Sequence, residues 1–276
     1  MRSFTQSFLI LSCLVLAACS ASEKRAEELS EREYYEEARE AMEDNNFLIA
    51  SERLQQLESR YPFGQFAEQA QLELIYTQHM MADMESSLAS AERFIRLHPL
   101  HEQVDYAYYM RGLSVYELGF SFVERYTPSE QARRDPTPFR DAFNHFDELV
   151  RRYPDSQYNE DAQKRMIFLR DRLAQYEIGV GQFYMKRHAY LAAAQRGERV
   201  MLNYQGTSAV SNALALQIEA YALLGQEFES SQALALLKLN YPEHEQLDEE
   251  GNFIESGLTK EDRRTLIGVM SFGLIE

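Results

Sequence analysis

The 276 residues carry 44 acidic against 28 basic side chains, a net charge of −16, and two cysteines, Cys13 and Cys19. So acidic a balance excludes nucleic acid as a partner, because the phosphates would repel it, and excludes wide contact with an anionic membrane surface. If Cys13 leaves with a leader and Cys19 carries lipid, no disulfide remains and the mature chain folds by packing alone.

In chain order, Arg2 and the apolar run Phe8 to Ala18 form a leader over residues 1–18, shorter than the roughly 20 apolar residues that span a bilayer. Leu16-Ala17-Ala18-Cys19 resembles a bacterial lipobox, which predicts diacylglycerol and an N-acyl chain on Cys19. A plain secretory leader with an incidental cysteine is the other reading. Several acyl chains, at about 0.8 kcal/mol per buried methylene, make a lasting anchor. By analogy with lipoproteins, Ser20 after the cysteine directs the chain to the outer membrane. Residues 19–33 read as the lipidated N-terminus and a charged tether.

From residue 34 to 242 a repeat dominates. Phe47, Ala50, Leu54, Leu57 and Tyr61 recur at steps of three and four, which places them on one helical stripe, and Pro62 stops the helix. The frame returns at Met84, Ser87, Ala91, Phe94, His98 and Pro99, and at Phe139, Ala142, Phe146, Leu149, Tyr153 and Pro154. It returns again at Tyr190, Ala193, Gly197, Val200 and Tyr204. A weaker fifth copy holds Leu234, Leu237, Tyr241 and Pro242, with Phe228 one place out of frame.

Helices Glu33 to Met42, Phe66 to Met80, Val104 to Leu118 and Ser208 to Leu224 precede these stripes, so each predicts a helix-turn-helix pair. Turns fall at Asp44-Asn45-Asn46 and Gly225-Gln226. Tyr61 to His98 and Tyr204 to Tyr241 are each 37 residues apart, near the 34-residue tetratricopeptide period. Gly119 to Pro138 reads as a loop insertion, and Tyr158 to Lys186 as an extended or doubled helix in which Gly179-Val180-Gly181 marks a bend or a close helix approach. The expected fold is all-α, a right-handed solenoid of about five tetratricopeptide repeats. Residues 243–276 form an acidic link and a C-terminal helical tail whose apolar residues, Leu266 to Ile275, either cap the last repeat or dock on another subunit.

The segments RYPFGQFAEQAQLELIY, RFIRLHP, VDYAYYMRGL and DPTPFRDAFNHFDELVRRYPDSQYNEDAQKRMIFLRDRLAQYE, together with the lipobox, resemble the BamD family, the lipoprotein of the outer-membrane β-barrel assembly machine. The resemblance implies a lipid-anchored scaffold on the periplasmic face of the outer membrane. Its implied partners are the POTRA domains of the barrel subunit BamA, other Bam lipoproteins, and unfolded outer-membrane proteins. In the family, C-terminal repeats bind the last POTRA domain and N-terminal repeats receive the C-terminal β-signal of substrates.

On that resemblance Arg196, with Arg199 one turn on, matches the place of an arginine that pairs with an acidic POTRA residue. Read from the helix alone, Arg196 is a solvated charge. Tyr61 and Phe63 close the first repeat, either as ligand contacts or as a helix stop with a packed ring. Tyr76, Tyr106, Tyr108 and Tyr109 lie on first helices, which line the concave face of such solenoids, and an aromatic groove would suit a β-signal that ends in an aromatic residue.

No catalytic constellation emerges. The six histidines show no metal-ligand spacing, His98-Pro99-Leu100-His101 is a turn, and no glycine-rich phosphate loop is present. The chain therefore reads as non-enzymatic, with no metal and no cofactor beyond the lipid. A tetratricopeptide lipoprotein of pilus or secretin assembly is the alternative, and a cell-envelope hydrolase the reading from another class.

Overall fold

The computed structural model describes residues 29–120 and 135–259. The lipobox with Cys19, most of the 119–138 insertion and the tail beyond Thr259 lie outside the described residues. Among the described residues there are ten helices and no β-strand. They are α1 (Glu31–Glu43), α2 (Phe47–Arg60), α3 (Ala67–Met80), α4 (Met84–Leu97), α5 (Val104–Leu118), α6 (Thr137–Arg152), α7 (Asn159–Lys186), α8 (Tyr190–Asn203), α9 (Ala209–Leu223) and α10 (Glu227–Asn240). The chain forms two compact units, with the boundary between Ser90 and Ala91 inside α4.

In the first unit α1 starts earlier than the sequence predicts. Ser30 Oγ accepts from Glu33 N at 3.3 Å while Glu33 Oε2 accepts from Ser30 N at 2.7 Å, a reciprocal cap that satisfies two otherwise orphaned donors. The tether therefore gives way to helix at Glu31. Helices α1 and α2 pair, and α2 packs on α3. Tyr34, Ala38, Leu54, Leu57, Ala70 and Leu74 form the core between them.

In the second unit successive helices pair from α5 to α10 around the insertion, and α7 also packs on α9. Helix α7 is one continuous helix of 28 residues. Gly181 is a close approach within it: a Cβ there would overlap Leu216 of α9 and lie 3.3 Å from Arg196 Cβ of α8. Gly197 plays the same part between α8 and α9, where a Cβ would sit 2.8 Å from the Ala213 carbonyl oxygen. A backbone atom cannot swing aside, so Gly197→Ala is expected to destabilise the fold by about 1–3 kcal/mol in urea unfolding.

The repeat is visible in backbone detail. Tyr61, Tyr153, Tyr204 and Tyr241 all end their helices with φ between −125° and −139° and a bond to the carbonyl four residues back. The turns inside pairs place Asn45, Ala82, His188 and Gly225 in the left-handed region, at φ 57°, 59°, 56° and 73°. The residue after each donates to a carbonyl five positions back, at 2.7, 3.0, 3.0 and 2.9 Å, the Schellman closure. Glycine is the usual occupant, so Ala82→Gly is expected to stabilise by about 0.5–1 kcal/mol, measured as a rise in the urea midpoint.

The predicted stripes face inward, with Ala50, Leu54, Leu57, Ala91, Phe94, Ala142, Phe146, Leu149, Ala193 and Val200 all buried. The fifth copy is weak because Glu227 stands at its first frame position, where the other copies carry Phe47, Met84, Phe139 and Tyr190, while its second position holds a serine as the second copy does. Ser230 Oγ donates to the Ile218 carbonyl at 2.9 Å, as Ser87 Oγ in the second copy donates to the Ile75 carbonyl at 3.0 Å. Each hydroxyl thus satisfies itself on the partner helix twelve residues upstream.

The acidic link folds back rather than trailing away. Leu247 and Phe253 form an isolated antiparallel bridge and pack against Leu214, Ala215, Ile218, Ala233 and Leu237. Leu258 packs against Met185, Ala193, Ala194, Leu216 and Ala220. Residues 247–258 thereby cover apolar residues of the last helices, while the capping or docking role read for Leu266 to Ile275 lies outside the described residues.

Candidate partner-binding surfaces

In the first unit the turn Tyr61-Pro62-Phe63-Gly64 separates two residues that the sequence reading grouped. Tyr61 is structural: its ring packs on the core with Tyr34 6.5 Å away, and its hydroxyl donates to the Leu29 carbonyl at 3.1 Å. Phe63 is 99% exposed. Its turn is braced by Gly64 N donating to the Tyr61 carbonyl at 3.0 Å and by Phe66 N donating to Glu31 Oε1 at 2.6 Å. A Cβ at Gly64 would fall on the Glu31 carboxylate, so glycine makes room for that brace. An apolar ring held in water on a fixed turn is organised in advance for a partner, because its backbone entropy is already lost.

Tyr76 lies on α3, 40% exposed, edge-on to Phe47 at 6.0 Å. Met80, one helical turn on, and Met81 are also exposed. Exposed methionine beside an aromatic ring makes an adaptable apolar contact.

In the second unit Tyr106 and Tyr109 share a partner that sequence reasoning missed. Tyr158, at the N-cap of α7, stacks on Tyr109 at 4.9 Å and 17° and lies 5.7 Å from Tyr106. Tyr109 donates to Asp161 Oδ2 at 2.8 Å, and Arg165 Nε donates to the same oxygen at 2.6 Å. Burial, followed by the Asp161 carboxylate, pushes the Tyr109 hydroxyl up to about 12. The Arg165 guanidinium lies 4.8 Å over Tyr116, and Arg172 lies 5.5 Å over Phe139. Rings and guanidiniums thus continue along one ladder, in which each cation is held on a π face. Removing the Tyr109 hydroxyl leaves Asp161 with Arg165 and water, since its side chain is 48% exposed, so Tyr109→Phe is expected to cost about 0.5–1.5 kcal/mol of stability in urea unfolding.

Tyr108 does not belong to an open groove. It is 5% exposed, lies 5.2 Å from Tyr153, and sits beneath Arg111 at 4.7 Å and Arg152 at 5.7 Å. Helix spacing turns it away from Tyr106 and Tyr109, and its ring packs the α5–α6 pair. The six aromatic candidates therefore divide between the two units and between surface and core.

Arg196 and Arg199 converge on one carboxylate. Arg196 Nη1 lies 2.8 Å from Glu177 Oε2, and Arg199 Nη1 lies 3.7 Å from Glu177 Oε1. The Glu177 side chain is only 8% exposed, whereas that of Arg199 is 54% exposed. Arg196 also lies 5.7 Å over the Tyr184 ring. Its hydrogen bond to Glu177 raises the affinity of the guanidinium for its proton. Arg196 is therefore not a freely solvated charge; it is oriented by a buried anion. Five N–H donors leave a guanidinium so held with further hydrogen-bonding capacity.

Among the described residues no group of three His, Cys, Asp or Glu side chains is arranged to hold a metal ion, and no helix is long and apolar enough to cross a membrane. These features define an all-α helical-hairpin repeat protein with aromatic and arginine surfaces suited to protein partners. The family described as YfiO, outer membrane lipoprotein, matches residues 27–236. A protein of Vibrio cholerae named outer membrane protein assembly factor BamD is 38% identical over 231 residues, covering 84% of this chain and 96% of its own. Proteins of the same name from Neisseria meningitidis serogroup A and Xylella fastidiosa strain 9a5c are 37% and 31% identical, with 83% and 86% of this chain covered and 88% and 82% of theirs. The chain belongs to the BamD family of outer-membrane lipoproteins. Among solved structures, a tetratricopeptide repeat protein from Parabacteroides merdae aligns at 14% identity with a TM-score of 0.35, over 77% of this chain and 67% of that one.

Proposed function

We propose that the chain is a non-enzymatic scaffold of the outer-membrane β-barrel assembly machine, anchored through lipid on Cys19 to the periplasmic face of the outer membrane. Its relatives' shared name, outer membrane protein assembly factor, supports this reading over pilus or secretin assembly and over a hydrolase. Two surfaces share the work. Arg196 and Arg199, aligned by Glu177, receive an acidic residue of a BamA POTRA domain. Phe63, with Tyr76 in the same unit, receives the aromatic-ended β-signal of an unfolded outer-membrane protein.

The observation that carries the substrate reading is the fully exposed Phe63 ring on a turn locked by Glu31. Such a ring gains by burying its face against another apolar group and has little ordering entropy left to lose. The test is a titration of the mature, unlipidated chain with a synthetic peptide copying the last strand of an outer-membrane barrel protein. Saturable binding that weakens when the terminal aromatic is replaced by alanine is expected. Equal binding of both peptides would remove the aromatic contact.

A further inference from the structure

A cleft of about 760 Å³ opens in the second unit, within the size range of small-molecule sites. Helix α7 lines it with Arg172, Gln175 and Tyr176, α9 with Leu216 and Glu219, and the folded-back segment with Glu245, Gln246 and Glu255. Three carboxylates therefore share the cleft with one guanidinium. That guanidinium lies 5.5 Å over Phe139 and 6.0 Å over Phe168, on ring faces, and among the described residues no salt bridge ties it to a carboxylate.

Glu219 is only 6% exposed, whereas Glu245 and Glu255 stand at the exposed rim. Its Oε2 accepts from Ser256 N at 3.1 Å, and among the described residues its Oε1 accepts no hydrogen bond and no cation pairs with it. Burying such a charge is costly unless a cation or several donors answer it. Two amides of the lining add acceptors rather than donors. Ser208 Oγ gives its proton to Asp171 Oδ1 at 2.7 Å, so it accepts from Gln175 Nε2 at 3.0 Å. The Ile254 carbonyl can only accept, so Gln246 Nε2 donates to it at 3.2 Å. Among the described residues the Oε1 atoms of both glutamines accept no hydrogen bond. Charge, burial and unspent acceptors together call for a cation rich in donors.

The arrangement of the carboxylates bears on its size. Among the described residues no three acidic groups come together closely enough to hold a metal ion, so no single metal ion answers all of this lining. A flexible cation does, if several ammonium groups are strung along an apolar stem. The stem has a wall to lie on, since Tyr176, Ile178 and Leu216 stand among the polar groups. We propose that the cleft binds a linear diamine or polyamine, with one ammonium donating to Glu219, another answering Glu245 or Glu255, and the methylenes between them against Tyr176 and Leu216. This assignment is independent of the barrel-assembly reading.

The test is a calorimetric titration of the full mature chain, carrying Cys19→Ser, with spermidine in about 0.15 M salt, where diffuse attraction to an acidic surface is screened. Saturable one-to-one binding is expected. Glu219→Gln keeps an acceptor for Ser256 N but removes the buried charge, and should weaken binding at least about tenfold. Glu40→Gln, on an exposed face of α1, should leave the affinity unchanged, and magnesium chloride should not reproduce the binding. Urea unfolding establishes that each variant is folded. If Glu219→Gln is not, Glu255→Gln at the exposed rim takes its place, with about a threefold loss expected. The proposal is overturned by the absence of saturable binding, by an affinity that the cleft variant leaves unchanged or that Glu40→Gln lowers as much, or by equal binding of magnesium.

Discussion

Arg196→Ala is expected to destabilise the folded chain by about 2–3 kcal/mol, because it strips a nearly buried carboxylate of its closer cation. Breaking a buried ion pair typically costs about 3–5 kcal/mol. The lower figure applies here because Arg199 remains 3.7 Å from Glu177 and part of the guanidinium already meets water. Arg196→Glu brings a second carboxylate to the same place and is expected to cost more. A lost partner interaction in either variant therefore cannot be read as a lost contact until folding has been measured by urea titration. The informative variant is the pair Arg196→Leu with Glu177→Leu. Apolar replacement of both members of a buried pair is often neutral or stabilising, so this chain is expected to fold about as well as the parent. If it no longer binds a POTRA domain, the arginine acts in recognition; if it binds normally, the ion pair is an internal strut between α7 and α8.

Phe63→Ala is expected to behave in the opposite way. A ring that is 99% exposed makes no packing contribution worth more than about 0.5 kcal/mol, so the unfolding midpoint should not move. Binding of a β-signal peptide should weaken by about 2 kcal/mol or more, some 30-fold, as expected for an aromatic anchor. Phe63→Tyr keeps the ring and should bind within a fewfold of the parent. Tyr61→Ala serves as the counterpart: it should lower stability, since the ring packs on the core beside Tyr34 and its hydroxyl holds the Leu29 carbonyl. Two neighbouring aromatics thus separate a folding role from a recognition role. An unchanged affinity in Phe63→Ala would leave that exposed ring without the role assigned to it.

The contrast between these residues also marks what a sequence discloses. Stripes at three- and four-residue steps state which face of a helix is buried, and the structure buries Leu54, Phe146 and Val200 as those steps require. The same steps are silent on which neighbour a side chain meets. Nothing in the spacing of Arg196 marks Glu177, nineteen residues earlier on another helix, as its partner. Tyr158 stands at a helix N-cap, outside any stripe, yet it stacks on Tyr109. Tyr108 adjoins Tyr106 and Tyr109 in sequence, but consecutive helical residues point about 100° apart, and Tyr108 falls on the buried side. The acidic, glycine-containing composition of residues 243–257 reads as a link and does not disclose its packing. Three apolar residues, Leu247, Phe253 and Leu258, were enough to fold it onto the last repeat.

The turns carry a similar lesson. Gly225 announced a left-handed residue and was legible, whereas Ala82 occupies the same conformation with no glycine to signal it. What fixes Ala82 there is the closure from Asp83 N to the Gln78 carbonyl and the packing of the pair it joins. Tertiary contacts override the local preference at a cost that Ala82→Gly would reveal.

The most direct measurement of the central claim is the affinity of the mature, unlipidated chain for the soluble POTRA domains of its own organism's BamA, determined by calorimetry. A saturable one-to-one complex, retained by Phe63→Ala and weakened by charge reversal at the exposed Arg199, is the predicted result. No complex with the parent chain, under conditions where it is folded, would contradict the account.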